Sequence, residues 1–395
     1  MRSDFSRKYA VVGVGKIAGR FQNRSARSLQ VEAARMAIED AGLNRADIDG
    51  CINAGLETSG DMPITWSDTF TRILGLPAKC HFNISRGGAA VPMSCISATQ
   101  LLNLGIAKYI VVAYGATDWQ RSRAKSAGGK KRHPEKLGVW GKPHGDTSAA
   151  SHHSMFMSRH MHEYGTTPEQ IGSVAVQQRK WANMNPDAAM YGRPLTIEDY
   201  LASPYLVEPY RALDMCQVSD AGVAFVITTA ERARDLRRPP VYLLGVGFGE
   251  AAEQLWWDKA NYTRLAVETA KRSAFEQAGL TLDDVDVAQL YDCFTGEVIL
   301  QVEDYGWCAK GEGGPFVASG CTGPGGRMPI NTGGGLLSAY AASDFPLLIE
   351  TVTQLRGEAG ERQCRDVKVG LMSGHGGEML RPGMCSIHAT SLWGN

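Results

Sequence analysis

An excess of either charge is missing from this 395-residue chain: Lys plus Arg number 41, and Asp plus Glu number 41. Such a balance gives no electrostatic pull toward nucleic acid or an anionic membrane, so neither is expected as a partner. Extended apolar runs are absent as well. None approaches the ~18 residues that a transmembrane helix needs, and the opening MRSDFSRKYAVVGVG has no signal-peptide core. The nine cysteines include no CxxC pair, which argues against a zinc site in the chain and against a disulfide framework. Reduced thiols in a cytoplasmic protein are the expectation. What is plentiful is glycine, with 45 residues, and apolar side chains at 44%. That composition fills a large core and supports many close backbone approaches, as in a large α/β enzyme.

Strand-like and helix-like runs alternate from the start. YAVVGVG (9–15) reads as a buried strand, and SLQVEAARMAIEDAGL (28–43) as an amphipathic helix ending near Gly42. Further strands are expected in IDGCINAG, KCHFNI and YIVVAYGAT. The pattern restarts at VYLLGVGFGEA (241–251), and KRSAFEQAGLTLDDVD (271–286) repeats ARMAIEDAGLNRADID (34–49) in register. Each copy then enters an apolar strand, so duplication is the better reading. Two halves are expected, 1–235 and 236–395. The first carries an inserted cap or loop region at 118–220, where specificity is often placed. Its Lys125–Lys136 cluster is suited to coenzyme A phosphates or to simple solvation.

Several long motifs occur in one order: MHEYGTTPEQIGSVAV, PLTIEDYLASPYLVEP, LDMCQVSDAGVAFVI, YDCFTGEVILQVEDYGWCAKGEGGPF and PINTGGGLLSAY. Together they resemble the sterol carrier protein type of thiolase, over nearly the whole chain. The resemblance implies a thiolase fold, with two βαβαβαββ halves in an α-β-α-β-α sandwich. It also implies a homodimer acting on acyl-coenzyme A thioesters, with coenzyme A as part of the substrate and no covalently bound cofactor.

The same resemblance exposes what this chain has lost. A thiolase needs a cysteine at the N-terminus of the helix after the third strand, where the helix dipole favours thiolate. Aligned backward from LNLGIAKYIVV, that position falls on Gly88. Cys95 is the nearest thiol, about 10 Å further along a helix, and is best explained as a packed small hydrophobe. Ser85 and Arg86 are poor replacements, because a serine without an adjacent base is a weak nucleophile. The family's histidine before DCF is replaced by Tyr291, and the histidine of its Asn-His-Pro loop by Tyr340. Within SGHGG, Ser373 or a neighbour stands where classical thiolases have their C-terminal cysteine.

This combination resembles the thiolase-like aldolases that shorten steroid side chains. They cut a β-hydroxyacyl-coenzyme A by a retro-aldol reaction, together with a small zinc-ribbon/OB-fold partner in a heterotetramer. A retro-aldol cut needs a base, an acid and donors for the developing enolate, and no covalent intermediate. The candidates are Tyr291, Tyr340 and His375. Gly88, Asp292, Gly334 and Gly376 form their surroundings, with Gly88 expected to leave open room. Phenolate at neutral pH costs about 4 kcal/mol, so the site must supply donors or a relay. Asp292 is expected to orient a neighbour or cap a turn. His81, His152, His153, His160 and His162 are expected to be surface or packing residues, and HHSMFMSRHMH is not expected to hold a metal, since carboxylates and a coherent ligand spacing are missing. Trp256 and Trp257 are expected to pack, as is Cys293. A thiolase with a displaced nucleophile and a non-catalytic acyl-coenzyme A-binding subunit remain the alternatives.

Overall fold

The computed structural model describes residues 5–54, 66–84, 86–126, 148–250, 262–376 and 387–395. Ser85, the side chains of the Lys125–Lys136 cluster, Trp256 and Trp257 lie outside them.

The first half contributes β1 (Tyr9–Gly19), β2 (Gly50–Ala54), β3 (Cys80–Ile84) and β4 (Tyr109–Thr117). A small hairpin follows, β5 (Tyr205–Val207) with β6 (Tyr210–Arg211), and then β7 (Asp220–Thr229) completes this half. The second half supplies β8 (Val241–Glu250), β9 (Val287–Gln289), β10 (Val369–Gly376) and β11 (Ile387–Gly394). All except the hairpin join one hydrogen-bonded sheet in the order β3-β2-β4-β7-β1-β8-β11-β10-β9. Outward from the central β1–β8 pair, 1-7-4-2 on one side mirrors 8-11-10-9 on the other. The expected duplication is therefore visible in the topology.

Three large cores among the described residues separate the layers. Ala10, Val12 and Ile48 pack under the outer helix Ala26–Asp40 of the first half. Leu244 and Leu290 do the same under helix Val267–Ala278 of the second half, together with Met157 and Ile171 from the inserted region. Between the two halves, helices Ala90–Asn103 and Phe345–Leu355 bury Val91, Cys95, Leu348 and Val352 against strands of both. The result is the expected α-β-α-β-α order. No helix among the described residues is long and apolar enough to cross a membrane.

The repeated letters have a repeated physical use. A side chain on Gly13 or Gly15 would overlap the carbonyls of Ala37 and Ala33; one on Gly245 or Gly247 would overlap those of Ala274 and Ala270. Strand and helix thus touch backbone to backbone at matching positions in both halves. Asp40 accepts from the Val14 amide at 3.0 Å, and Gln277 from the Val246 amide at 3.0 Å. Each bond satisfies a strand N–H beside those glycines. Gly247→Val should therefore cost about 3 kcal/mol or more through overpacking. Gly75→Ala, at a positive φ with nothing within 4 Å, should cost only about 1–2 kcal/mol. Denaturant midpoints compare the two.

Candidate active site

The site forms where the two halves meet. Gly88 follows β3 in the sequence and lies just before helix Ala90–Asn103. From the other half, β10 brings His375, whose backbone N–H donates to the Gly88 carbonyl at 2.9 Å. Tyr291 follows β9 and precedes the helix Thr295–Tyr305. Its ring centroid lies 6.2 Å from that of His375. A Cβ on Gly88 would overlap the Tyr291 ring and the His375 carbonyl oxygen. This corrects one expectation: the room left by the missing side chain is filled by Tyr291.

The backbone around Tyr291 is held from several sides. Asn331, itself at a positive φ, accepts from the Leu290 amide at 2.7 Å and donates to the Leu290 carbonyl at 2.9 Å. The Tyr291 amide donates to Ser373 Oγ at 2.8 Å, and its carbonyl accepts from Gln301 at 2.8 Å. Ser373 in turn donates to Gln301 Oε1 at 2.5 Å. Ser373 is thus part of the clamp on Tyr291. Burial foremost, with Cys293, Cys216, Asp344 and Tyr114 nearby, pushes the Tyr291 hydroxyl well above its ordinary pKa. The group is a phenol at neutral pH and so a proton donor.

Asp292 is fully buried and accepts from the Leu336 and Leu337 amides at 3.0 and 3.2 Å. A side chain on Gly335 would overlap its carboxylate. The residue thereby shapes the glycine loop containing Gly334, which sits at φ 100° against Ala182. Burial raises its pKa to about 7 against those two amides. Gly376 closes β10, and a Cβ there would overlap the Arg86 carbonyl, so two backbones touch at that point.

Tyr340 belongs to the core between the two halves, against which Tyr291 also packs. It follows a single wide helical turn, Gly335–Ala339, and lines a cavity of about 240 Å³ with Arg20, Asp187, Arg193 and Ser219. Its hydroxyl is buried without a hydrogen-bond partner among the described residues. Burial foremost, with Glu350 and Asp187 adding to it, raises its pKa. The structure therefore joins Tyr291, Gly88 and His375.

Two sets of side chains escaped the sequence reading. Asp344 accepts from the Val91 amide at 2.9 Å in the first turn of helix Ala90–Asn103. The helix end that would polarise a thiolase cysteine is thus capped by a carboxyl group, which burial raises to about 8. The second set corrects the expectation for HHSMFMSRHMH, since the accompanying carboxylates come from another helix. His153 and His160 are buried; His153 Nδ1 bonds Glu297, and His160 Nε2 lies 3.0 Å from Glu303. The seven-residue spacing of the two histidines, one helical face, was the available signal. Cys95 and Cys216 do not suit a nucleophile's task. Burial pushes Cys95 up beyond the ordinary thiol range and Cys216 up to about 12.

Two measurements follow from this geometry. Gly88→Ala should destabilise by about 1–3 kcal/mol through overpacking, and a double-mutant cycle should show part of that cost relieved in Tyr291→Ala. The remainder reflects the His375 carbonyl. For Asp344, a folded pKa near 8 against 3.8 unfolded means that the folded state retains a proton the unfolded state has lost. Stability from this group is complete below about pH 4 and declines as pH rises toward 8, by up to about 1.4 kcal/mol per unit. Asp344→Asn should flatten that decline in unfolding free energies measured between pH 5 and 8.

Comparison with known proteins accords with this architecture. The family description "Thiolase C-terminal domain-like" matches residues 249–388. A "17-hydroxy-3-oxo-4-pregnene-20-carboxyl-CoA lyase" of Mycobacterium tuberculosis is 36% identical, covering 88% of this chain and 91% of that protein. A "Steroid side-chain-cleaving aldolase" of Thermomonospora curvata is 35% identical, covering 88% and 90%. Among solved structures, the "Ltp2-ChsH2(DUF35) aldolase" superposes with a TM-score of 0.88 at 32% identity, covering 99% of each chain. The chain belongs to the thiolase superfamily, in the sterol carrier protein type that includes the steroid side-chain-cleaving aldolases.

Proposed function

We propose that this protein cleaves a carbon–carbon bond in a β-hydroxyacyl-coenzyme A by a retro-aldol reaction. The products are a ketone or aldehyde and a shortened acyl-coenzyme A. The observation that carries the reading is Gly88 with the Tyr291 ring in its place: the nucleophile position has no side chain and its space is taken. The activities named for the two relatives support a steroid side-chain thioester as substrate.

The reaction balances within the site. A base takes the β-hydroxyl proton, the Cα–Cβ bond breaks, and its electron pair becomes the thioester enolate. A proton then returns to Cα, so neither water, oxidant nor free coenzyme A is consumed. Tyr291 and Tyr340, both kept as phenols by burial, suit hydrogen-bond donation to the enolate and its reprotonation. The basic role then falls to His375. Gly88, Gly334 and Gly376 keep backbone close to the reacting atoms, and Asp292 holds the glycine loop. Coenzyme A enters as part of the substrate. A homodimer, a zinc-ribbon/OB-fold partner completing a heterotetramer, and a cytoplasmic location belong to the same reading. The DUF35 component named for the solved relative supports the partner.

Purified protein, with such a partner present, should release a carbonyl product from 17-hydroxy-3-oxo-4-pregnene-20-carboxyl-coenzyme A without added free coenzyme A. Tyr291→Phe should lower kcat by about 10²–10⁴. Parent-like turnover in that variant, or an absolute requirement for free coenzyme A with an acylated cysteine in the mass spectrum, would sink the reading.

A further inference from the structure

We infer that Glu297 and His153 are positioning residues for His375, setting its tautomer and its basicity in the carbon–carbon cleavage. This inference rests on the aldolase reading above. The three side chains come from separate elements: helix Ala149–Tyr164, helix Thr295–Tyr305 and β10. All three are buried, and their ligand-type atoms lie within 4.8 Å of one another. One Glu297 oxygen bonds His153 Nδ1, and the other lies 3.5 Å from His375 Nε2. The His153 ring stacks on Phe294 with centroids 4.5 Å apart, which limits its rotation. His375 is the member facing Tyr291.

Burying a carboxylate costs several kcal/mol unless partners compensate, so its surroundings reveal its use. The same two helices carry a second pair that serves as an internal comparison. His160 and Glu303 are completed by Thr166 at 2.8 Å, by Lys310 at 3.0 Å and by the Gly313 amide at 2.7 Å. Burial alone would raise Glu303, but His160 and Lys310 hold its carboxyl below the ordinary range. That pair is a helix-to-helix staple closed by a lysine. Glu297 divides its two oxygens differently, one toward His153 and one toward His375.

The consequence is chemical. A carboxylate beside Nε2 keeps the proton there, so the substrate's proton is received at Nδ1. It also stabilises the imidazolium that forms, as the third member of a catalytic triad does. His153 holds the carboxylate through its other oxygen. The further titratable groups whose rings face His375 are Tyr291 and His388, the latter on the paired strand. Burial, and then repulsion from His375, keeps His388 neutral. Among these neighbours, Glu297 supplies the carboxyl group beside His375 Nε2.

The test compares Glu297→Gln, Glu297→Asp, His375→Gln and the double variant Glu297→Gln/His375→Gln, with Glu303→Gln as the structural comparison. Substrate is the carboxyl-coenzyme A thioester named above. Glu297→Gln should lower kcat by about 10²–10³ with KM within about threefold, and Glu297→Asp should recover part of it. Losing the carboxylate makes His375 a weaker base, so the ascending limb of kcat/KM should move to lower pH by about one unit. In His375→Gln, the Glu297 change should add less than about threefold. Glu303→Gln should lower the melting temperature and leave the pH profile in place. An unshifted limb, additive losses, or activity removed by EDTA and restored by zinc would each overturn the inference. A readout without turnover is the imidazole ¹⁵N spectrum of His375: protonation at Nε2 in the parent should be lost in Glu297→Gln, and an unchanged spectrum overturns the positioning role. If the parent cleaves no β-hydroxyacyl thioester, the aldolase reading fails, and the ¹⁵N comparison still decides what Glu297 does.

Discussion

The bond on which the site depends is a main-chain one: the His375 amide donating to the Gly88 carbonyl at 2.9 Å. It ties the turn before a first-half helix to a second-half strand, across the layer buried between the two halves. Tyr291 can lie over Gly88 only because no Cβ intervenes. A side chain at position 88 would push against both Tyr291 and this bond. The bare glycine and the placed phenol are therefore one structural feature.

Around that contact the protein buries polar groups and supplies them with backbone partners. Asp292 takes two amides of the glycine loop, Asp344 takes an amide at a helix start, and Asn331 spans both backbone groups of Leu290. Such networks are costly if half-satisfied and rigid if complete. Rigidity suits a reaction whose acid, base and enolate donors must be held before the substrate arrives. The raised carboxyl groups of Asp292 and Asp344 show that the low polarity of this layer governs proton positions.

Much of the frame was legible from local pattern. GVG beside a small-residue helix repeats in both halves because backbone contact between strand and helix admits little else. Tyr291 and Gly88 were legible as substitutions within long motifs. Glu297 and His153 were not, since a histidine on one helix and a glutamate on another carry no mutual signal until the helices pack. Asp344 was hidden for the same reason. It lies 253 residues from the amide it caps.

Three features were legible in the letters: the duplicated α/β order and, through the family resemblance, a glycine at the position expected of a thiolase nucleophile and two tyrosines where histidines are expected. Each is a property of single positions or of short-range periodicity, so no folding is needed to see it. Three others come into being only when distant elements pack. Tyr291 fills the space at Gly88, Tyr340 lines a cavity with Arg20 and Asp187, and Glu297 joins His153 to His375. They depend on which faces of remote segments meet and how closely, and packing across the two halves sets that distance.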